Sequence, residues 1–138
     1  MELRKSFRTA TSRDHAVERL CSDDTLTALL PGDSEIVASD GDRRTTRTRY
    51  TTLGREGVAT FHFTYLIDGN VRFEKVCDGN VWRRLDGSVV IDEDDEGSTV
   101  TIEMDGRTKA LVPELAIRGP LEAQMQTMTD ALRELLSA

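Results

Sequence analysis

The spacing of apolar and polar positions changes period twice along the chain. Residues 2–9 alternate between the two classes, which predicts a strand with one buried face. Two segments with apolar residues at helical spacing follow, one behind Thr11 or Ser12 and one ending at Pro31-Gly32. The first third of the chain is therefore predicted to be a strand and two short helices.

From Asp33 to about residue 107 the period is two, and turn signals such as Asp68-Gly69-Asn70 recur. Short loops between consecutive strands favour an antiparallel meander. Asp86-Gly87 interrupts one segment and predicts a bulge or bend there. The predicted strands cover residues 34–39, 43–53, 58–67, 71–77, 81–91 and 98–105.

The turns also predict the strand register. A loop at residues 54–57 sets Leu53 opposite Val58, which pairs Tyr50 with Phe61, and a loop at residues 68–70 pairs Tyr65 with Phe73. One face of the sheet then carries arginine, histidine and glutamate. The other carries the apolar and small residues Thr48, Tyr50, Ala59, Phe61, Phe63, Tyr65, Val71 and Phe73.

An apolar stripe marks the end of the sequence as helical. The stripe predicts a helix over residues 120–137 that starts at Pro120, and residues 110–118 form a separate apolar segment before it. The helix needs a partner for its stripe, and the aromatic face of the sheet is the large apolar surface available. The stripe consists of Leu121, Met125, Met128, Leu132 and Leu135.

This order of elements, with the segment from Gly79 to Ile102 as the last two strands, resembles the START-like superfamily, also called SRPBCC. That superfamily includes polyketide cyclase-like proteins and a group of proteins from carbon monoxide dehydrogenase clusters. The resemblance covers the whole chain and implies one α+β domain over residues 1–138. It implies a helix-grip fold, in which a curved antiparallel sheet of about seven strands wraps around the C-terminal helix, commonly with a hydrophobic cavity between them. The superfamily shares no invariant catalytic motif, so the fold does not settle the function.

The composition of the chain limits the classes of partner that it can bind. The chain is acidic, with net charge −7 and pI 4.8, which disfavours nucleic acid as a partner. No apolar run reaches the roughly 18 residues of a membrane helix. Cys21 and Cys77 have no metal-type spacing, and residues 1–5 lack the apolar stretch of a signal peptide, so a cytoplasmic location is expected.

The aromatic face is the main candidate site, because phenylalanine and methionine walls with tyrosine hydroxyls suit an apolar ligand such as a lipid, quinone or polyketide-like molecule. The alternative is that these residues simply fill the core. Lys5 and Lys75 also fall on the inward face, where a lysine could neutralise a ligand carboxylate or act as a base, or could reach solvent along its stem. The predicted ligand-binding residues are Tyr50, Phe61, Phe63, Tyr65, Phe73, Lys75, Met104, Met125 and Met128.

Other patterns favour ordinary surface structure. The basic strand at residues 43–49 is interpreted as a solvated face, and the acidic run at residues 92–97 as a hairpin turn, since a following strand carries Glu103 away from it. His15 and His62 lack zinc spacing. No catalytic set, metal or cofactor is therefore predicted, and the orientation of Trp82 stays open, with partial burial favoured.

Three functions remain at this point. The first is binding or carriage of a small hydrophobic ligand between the helix and the sheet, without covalent chemistry. The second is a cyclase- or hydrolase-type enzyme on the same cavity, which would have to use Tyr50, Tyr65 or Lys75 as acid or base. The third is a protein-interaction module, with the outer charged face and residues 110–118 as its contact surface. The residues favour binding over catalysis.

Overall fold

The chain starts with strand β1 (Glu2–Thr9), followed by helices α1 (Arg13–Leu20) and α2 (Asp23–Ala28). The computed structural model describes residues 1–30, 32–52 and 54–137. Ser12 is the N-cap of α1, and its side chain accepts a hydrogen bond from the backbone N–H of His15. The two predicted helices are thus confirmed, while Pro31, the predicted end signal of the second, lies outside the described residues.

Six more strands follow, and within the described residues all seven form one antiparallel sheet in the order β1-β7-β6-β5-β4-β3-β2. The predicted meander is confirmed, since each strand from β2 to β7 lies beside its neighbour in sequence. β1 closes the far edge, where Phe7 lies opposite Val100 on β7. The strands are β2 (Asp33–Asp40), β3 (Arg43–Thr52), β4 (Arg55–Tyr65), β5 (Val71–Lys75), β6 (Trp82–Asp94) and β7 (Gly97–Thr108).

The predicted pairing of β3 with β4 is wrong. Tyr50 lies opposite Gly57, and Phe61 lies opposite Thr46, because the strands are joined by a tighter turn than the four residues expected. Leu53, on which the predicted register depended, lies outside the described residues. The error moves each partner by an even number of positions, so Phe61 still points to the apolar face as predicted.

The pairing of β4 with β5 is shifted in the same way. Tyr65 lies opposite Val71 and Phe63 opposite Phe73, whereas the sequence predicted Tyr65 opposite Phe73. The shift is again even, and Phe63, Val71 and Phe73 are all buried on the predicted face.

Asp86-Gly87 forms no bulge, one of the two features predicted there, because the β6–β7 ladder runs through both residues and its irregularity falls at Trp82–Arg84. The glycine has a different reason. A Cβ on Gly87 would lie 2.5 Å from Cζ of Phe73, so the bare backbone makes room for that ring. The acidic run forms the β6–β7 hairpin turn as predicted, with Asp94 opposite Gly97.

Helix α3 (Glu114–Ser137) packs on the apolar face of the sheet. It starts six residues before the predicted position and contains Pro120, so the segment predicted as a separate approach is partly helical. Its stripe is buried as predicted except at the end, where Leu136 rather than Leu135 is buried. None of the helices in the described ranges is long and apolar enough to cross a membrane.

The outer face of the sheet is charged, as predicted, with one exception. Arg47 and Arg49 are exposed, and Arg43 pairs with Glu74 at 3.5 Å. Arg44 instead lies on the inward side of the strand, where its Nε donates to Asp23 Oδ1 at 3.1 Å.

Candidate ligand-binding site

A cleft of about 600 Å³ opens between α3 and the apolar face of the sheet. This volume falls within the range of roughly 300–1,000 Å³ that small-molecule sites occupy. Strands β3 to β6 supply one wall, α3 the other, and the segment after α2 supplies the end near Leu30. The described lining residues are Leu30, Gly32, Thr48, Tyr50, Thr51, Ala59, Phe61, Lys75, Trp82, Leu85, Pro120, Ala123, Gln124 and Thr127.

The helical wall follows from the periodicity of α3. Pro120, Ala123, Gln124 and Thr127 recur at helical spacing and form a second stripe beside the buried one. These side chains are short or uncharged, so the helix cannot fill the space that separates this stripe from β3 and β4. The cleft therefore forms beside the line along which α3 packs closest to the sheet.

Two aromatic rings of the sheet wall lie against glycines. The Tyr50 ring covers Gly57, where a Cβ would lie 2.5 Å from its Cζ, and the Trp82 ring covers Gly106, where a Cβ would lie 2.5 Å from its Cζ3. Tyr50 is 40% exposed, whereas Trp82 is partly buried against the core, as the sequence favoured. The missing side chains let both rings lie close to the strands and leave the cleft open between them.

Lys75 is the charged residue among the described lining residues. It ends β5 opposite Phe61 on β4, so its stem runs along an aromatic wall. Its Nζ donates to the backbone carbonyl of Val76 at 3.3 Å. Among the described residues it forms no ion pair.

Beneath the cleft the aromatic face is packed solid. The rings of Phe61, Phe63 and Phe73 have centroids 5.9 to 6.5 Å apart, in tilted and edge-on pairs. The space left between this cluster, Met104 and Met128 is about 10 Å³, the lower limit for a single water molecule. Phe61 lines both this space and the cleft, so it marks the boundary between the core and the site.

No protein-family model and no curated protein sequence matches the chain. Solved structures do. A protein from Thermus thermophilus aligns at 17% identity with a TM-score of 0.77, over 99% of this chain and 97% of that one. The Zhui aromatase/cyclase from Streptomyces sp. R1128 aligns at 15% identity with a TM-score of 0.76, over 99% of this chain and 90% of that one. A STAR-related lipid transfer protein from Xanthomonas axonopodis aligns at 21% identity with a TM-score of 0.69, over 99% of this chain and 86% of that one.

The fold is that of the START-like proteins. The alignments cover nearly the whole chain, and they agree with the helix-grip α+β architecture that the resemblance implied. At these identities the likeness concerns the fold. The two named neighbours, an aromatase/cyclase and a lipid transfer protein, show that one START-like fold serves both kinds of protein.

The nine residues predicted to bind a ligand divide into three groups in this START-like fold. Tyr50, Phe61 and Lys75 line the cleft. Phe63, Phe73, Met104 and Met128 surround the small space beneath it. Tyr65 and Met125 line neither: Met125 is fully buried, and Tyr65 lies at the far end of β4.

Tyr65 has a different environment from the cleft. Its hydroxyl donates to Asp23 Oδ1 at 2.9 Å, and the Arg44 guanidinium lies 5.4 Å from the centre of its ring. Burial, the hydrogen bond to Asp23 and the charge of that carboxylate raise the pKa of Tyr65 well above its ordinary value of 10, against the opposing effect of Arg44. The phenol therefore stays protonated and connects β4 to the start of α2.

The sequence reasoning missed the helical wall. The predicted apolar stripe did not include Ala123, Gln124 or Thr127, and the sequence reasoning gave these residues no role. A signal was present, because these uncharged residues share one side of a helix whose outer positions carry charges such as Glu122 and Asp130. A small, uncharged flank beside an apolar stripe indicates a surface that faces something other than bulk water.

Proposed function

We propose that this protein binds a small hydrophobic ligand in the cleft between α3 and the sheet, without covalent chemistry. The observation that carries the proposal is the cleft of about 600 Å³ beside a solid core. Its walls combine the Trp82, Phe61 and Leu85 side chains with a few uncharged polar groups, the composition typical of small-molecule sites.

The comparisons support the proposal without identifying a ligand. A lipid transfer protein and an aromatase/cyclase share the fold over nearly the whole of this chain. The packed cluster around Phe63 makes the proposed site shallower than the full aromatic face, so the ligand would lie against Phe61, Trp82 and the helical wall.

The test uses N-phenyl-1-naphthylamine, an uncharged probe whose fluorescence increases in apolar surroundings. We expect saturable binding to the purified protein, together with a change in the emission of Trp82, the chain's single tryptophan. Ala123→Phe fills the cleft from an exposed helix position and should weaken binding about tenfold or more, about 1.4 kcal/mol.

Ala116→Phe is the matched control, because Ala116 is an exposed alanine of the same helix that does not line the cleft. It should change the affinity less than twofold. If the probe does not bind, or if both phenylalanine variants bind it as the unchanged protein does, the cleft is not a ligand site.

A further inference from the structure

Lys75 places a single positive charge inside an otherwise uncharged cleft. The other described lining residues are apolar, or carry hydroxyl or amide groups. Lys75 Nζ has three N–H donors, and the one hydrogen bond that it makes here, to the Val76 carbonyl, is long at 3.3 Å. The ammonium group can therefore accept a partner from the cleft without giving up an ion pair within the described structure.

The surroundings of this charge strengthen any ion pair that forms there. Phe61 faces Lys75 across β4 and β5, and Trp82 lines the same cleft from the start of β6. Apolar walls reduce the local dielectric response, so an opposite charge beside the ammonium is attracted more strongly than in water.

The number of charges limits the class of ligand. A phosphate dianion is usually held by several charged donors or by an arginine fork, and the described lining residues include neither. One ammonium matches one carboxylate. Gln124 and Thr127, across the cleft on α3, add only uncharged polar contacts.

We infer that the ligand is a hydrophobic monocarboxylate, with its apolar body against Phe61 and Trp82 and its carboxylate paired with Lys75. This inference rests on the proposed function, since it requires that the cleft hold a ligand. It also gives the ligand an orientation in the cleft, with its carboxylate at the end of β5.

The experiment compares 2-naphthoate with 2-naphthamide, which share an aromatic body and differ in charge. By calorimetry, the unchanged protein should bind the acid about 10- to 100-fold more tightly than the amide, the range for a hydrogen bond to a charged group. Lys75→Met should bind both equally, and Lys75→Arg should retain a preference for the acid.

Lys5→Met is the matched control. Lys5 lies on the same face of the sheet, between Leu3 and Phe7 on β1, but does not line the cleft. Its removal subtracts the same net charge and should leave the preference for the acid intact. N-phenyl-1-naphthylamine, measured with every variant, reports whether the cleft itself is preserved.

The outcomes separate the two proposals. If the uncharged probe binds but the unchanged protein has no preference for the acid, or Lys75→Met keeps that preference, the carboxylate inference is overturned and the hydrophobic site stands. If Lys75→Met no longer binds the uncharged probe, that substitution has damaged the cleft, and Lys75→Arg becomes the test. The carboxylate inference is then overturned if Lys75→Arg shows no preference for the acid over the amide. If the unchanged protein does not bind the uncharged probe, the proposed function fails, and the carboxylate inference that rests on it fails as well.

Discussion

At the scale of single residues, the two tyrosines have separate roles although the sequence places both on the apolar face. Tyr50 lines the cleft and is 40% exposed. Tyr65 donates its hydroxyl hydrogen to Asp23, which Arg44 also contacts through the same oxygen. The difference arises from position along the strand pair, because Tyr65 ends β4 beside the two short helices.

Tyr65 should make the stability of the protein sensitive to alkaline pH. Its pKa is raised in the folded state, so above about pH 10 the unfolded chain loses this proton first and the folded state loses stability as pH rises. Relative to Tyr65→Phe, the unfolding free energy of the unchanged protein should fall by at most about 1.4 kcal/mol per pH unit, and by less because the group is only half-buried.

Denaturant titrations between pH 9 and 11 measure this difference. Tyr50→Phe serves as the control, since it removes the chain's other phenol from the cleft. Parallel pH dependences for the unchanged protein and Tyr65→Phe would contradict a raised pKa of Tyr65 in the folded state.

At the scale of elements, α3 shows how far a sequence signal can mislead. Proline favours the first turn of a helix, and Pro120 was accordingly predicted to start it. The helix instead begins at Glu114. Gly119 has no Cβ to clash with the proline ring, and the Ala116 carbonyl, which loses its usual N–H partner, belongs to an exposed residue that water can reach.

Pro120→Ala should stabilise the protein. An alanine restores the missing hydrogen bond to the Ala116 carbonyl, which stabilises the helix, but it also gives the unfolded chain more conformational freedom. The net increase in the free energy of unfolding is expected to be about 2 kcal/mol. Pro113→Ala is the control, because Pro113 precedes the helix and has no such bond to restore. Thermal and urea denaturation measure both changes; an unchanged or reduced stability for Pro120→Ala would show that the proline is not a weak point of α3.

Strand existence and strand faces could be predicted, whereas strand register could not. Periodicity of two assigns Phe61, Phe63 and Phe73 to the core whatever the partner strand, because an even shift preserves the face. Register depends on turn geometry, and the turn near Gly54 is two residues shorter than its glycine pair suggested. The helical wall of the cleft was missed for a related reason. A cleft depends on how α3 and the sheet pack against each other, and the sequence of either segment alone does not determine that packing.

At the scale of the whole molecule, the sheet and α3 enclose a core that is solid at its centre and open at one flank. The residues around Met125 and Phe63 stabilise the fold, while the flank between α3 and β3 is free to hold a ligand. Stability and the proposed binding therefore depend on two sets of side chains that overlap in part. Four residues line both the cleft and the packed space, namely Leu30, Phe61, Leu85 and Gln124.

Ligand binding should stabilise the whole fold by mass action. At a 2-naphthoate concentration 100 times its dissociation constant, the unfolding free energy should rise by about 2.7 kcal/mol, because the unfolded chain has no cleft. Calorimetric melting with and without the acid measures this shift. Ala123→Phe, with an affinity about tenfold weaker, should show about half of this shift or less at the same concentration, at most about 1.4 kcal/mol. An equal shift in that variant would place the bound acid elsewhere.

The position of β1 has a consequence for how the protein is made. β1 precedes the other described strands in the sequence, yet its partner is β7, and residues such as Leu3 and Met104 meet although more than half of the sequence separates them. While the chain is being synthesised, β1 cannot pair until β7 has been made, so the partly formed sheet has an unpaired edge. Its apolar face also stays exposed until α3 has been made. The nascent chain is therefore most prone to aggregation between the synthesis of β7 and that of α3, and the packing of α3 on the sheet removes the hazard.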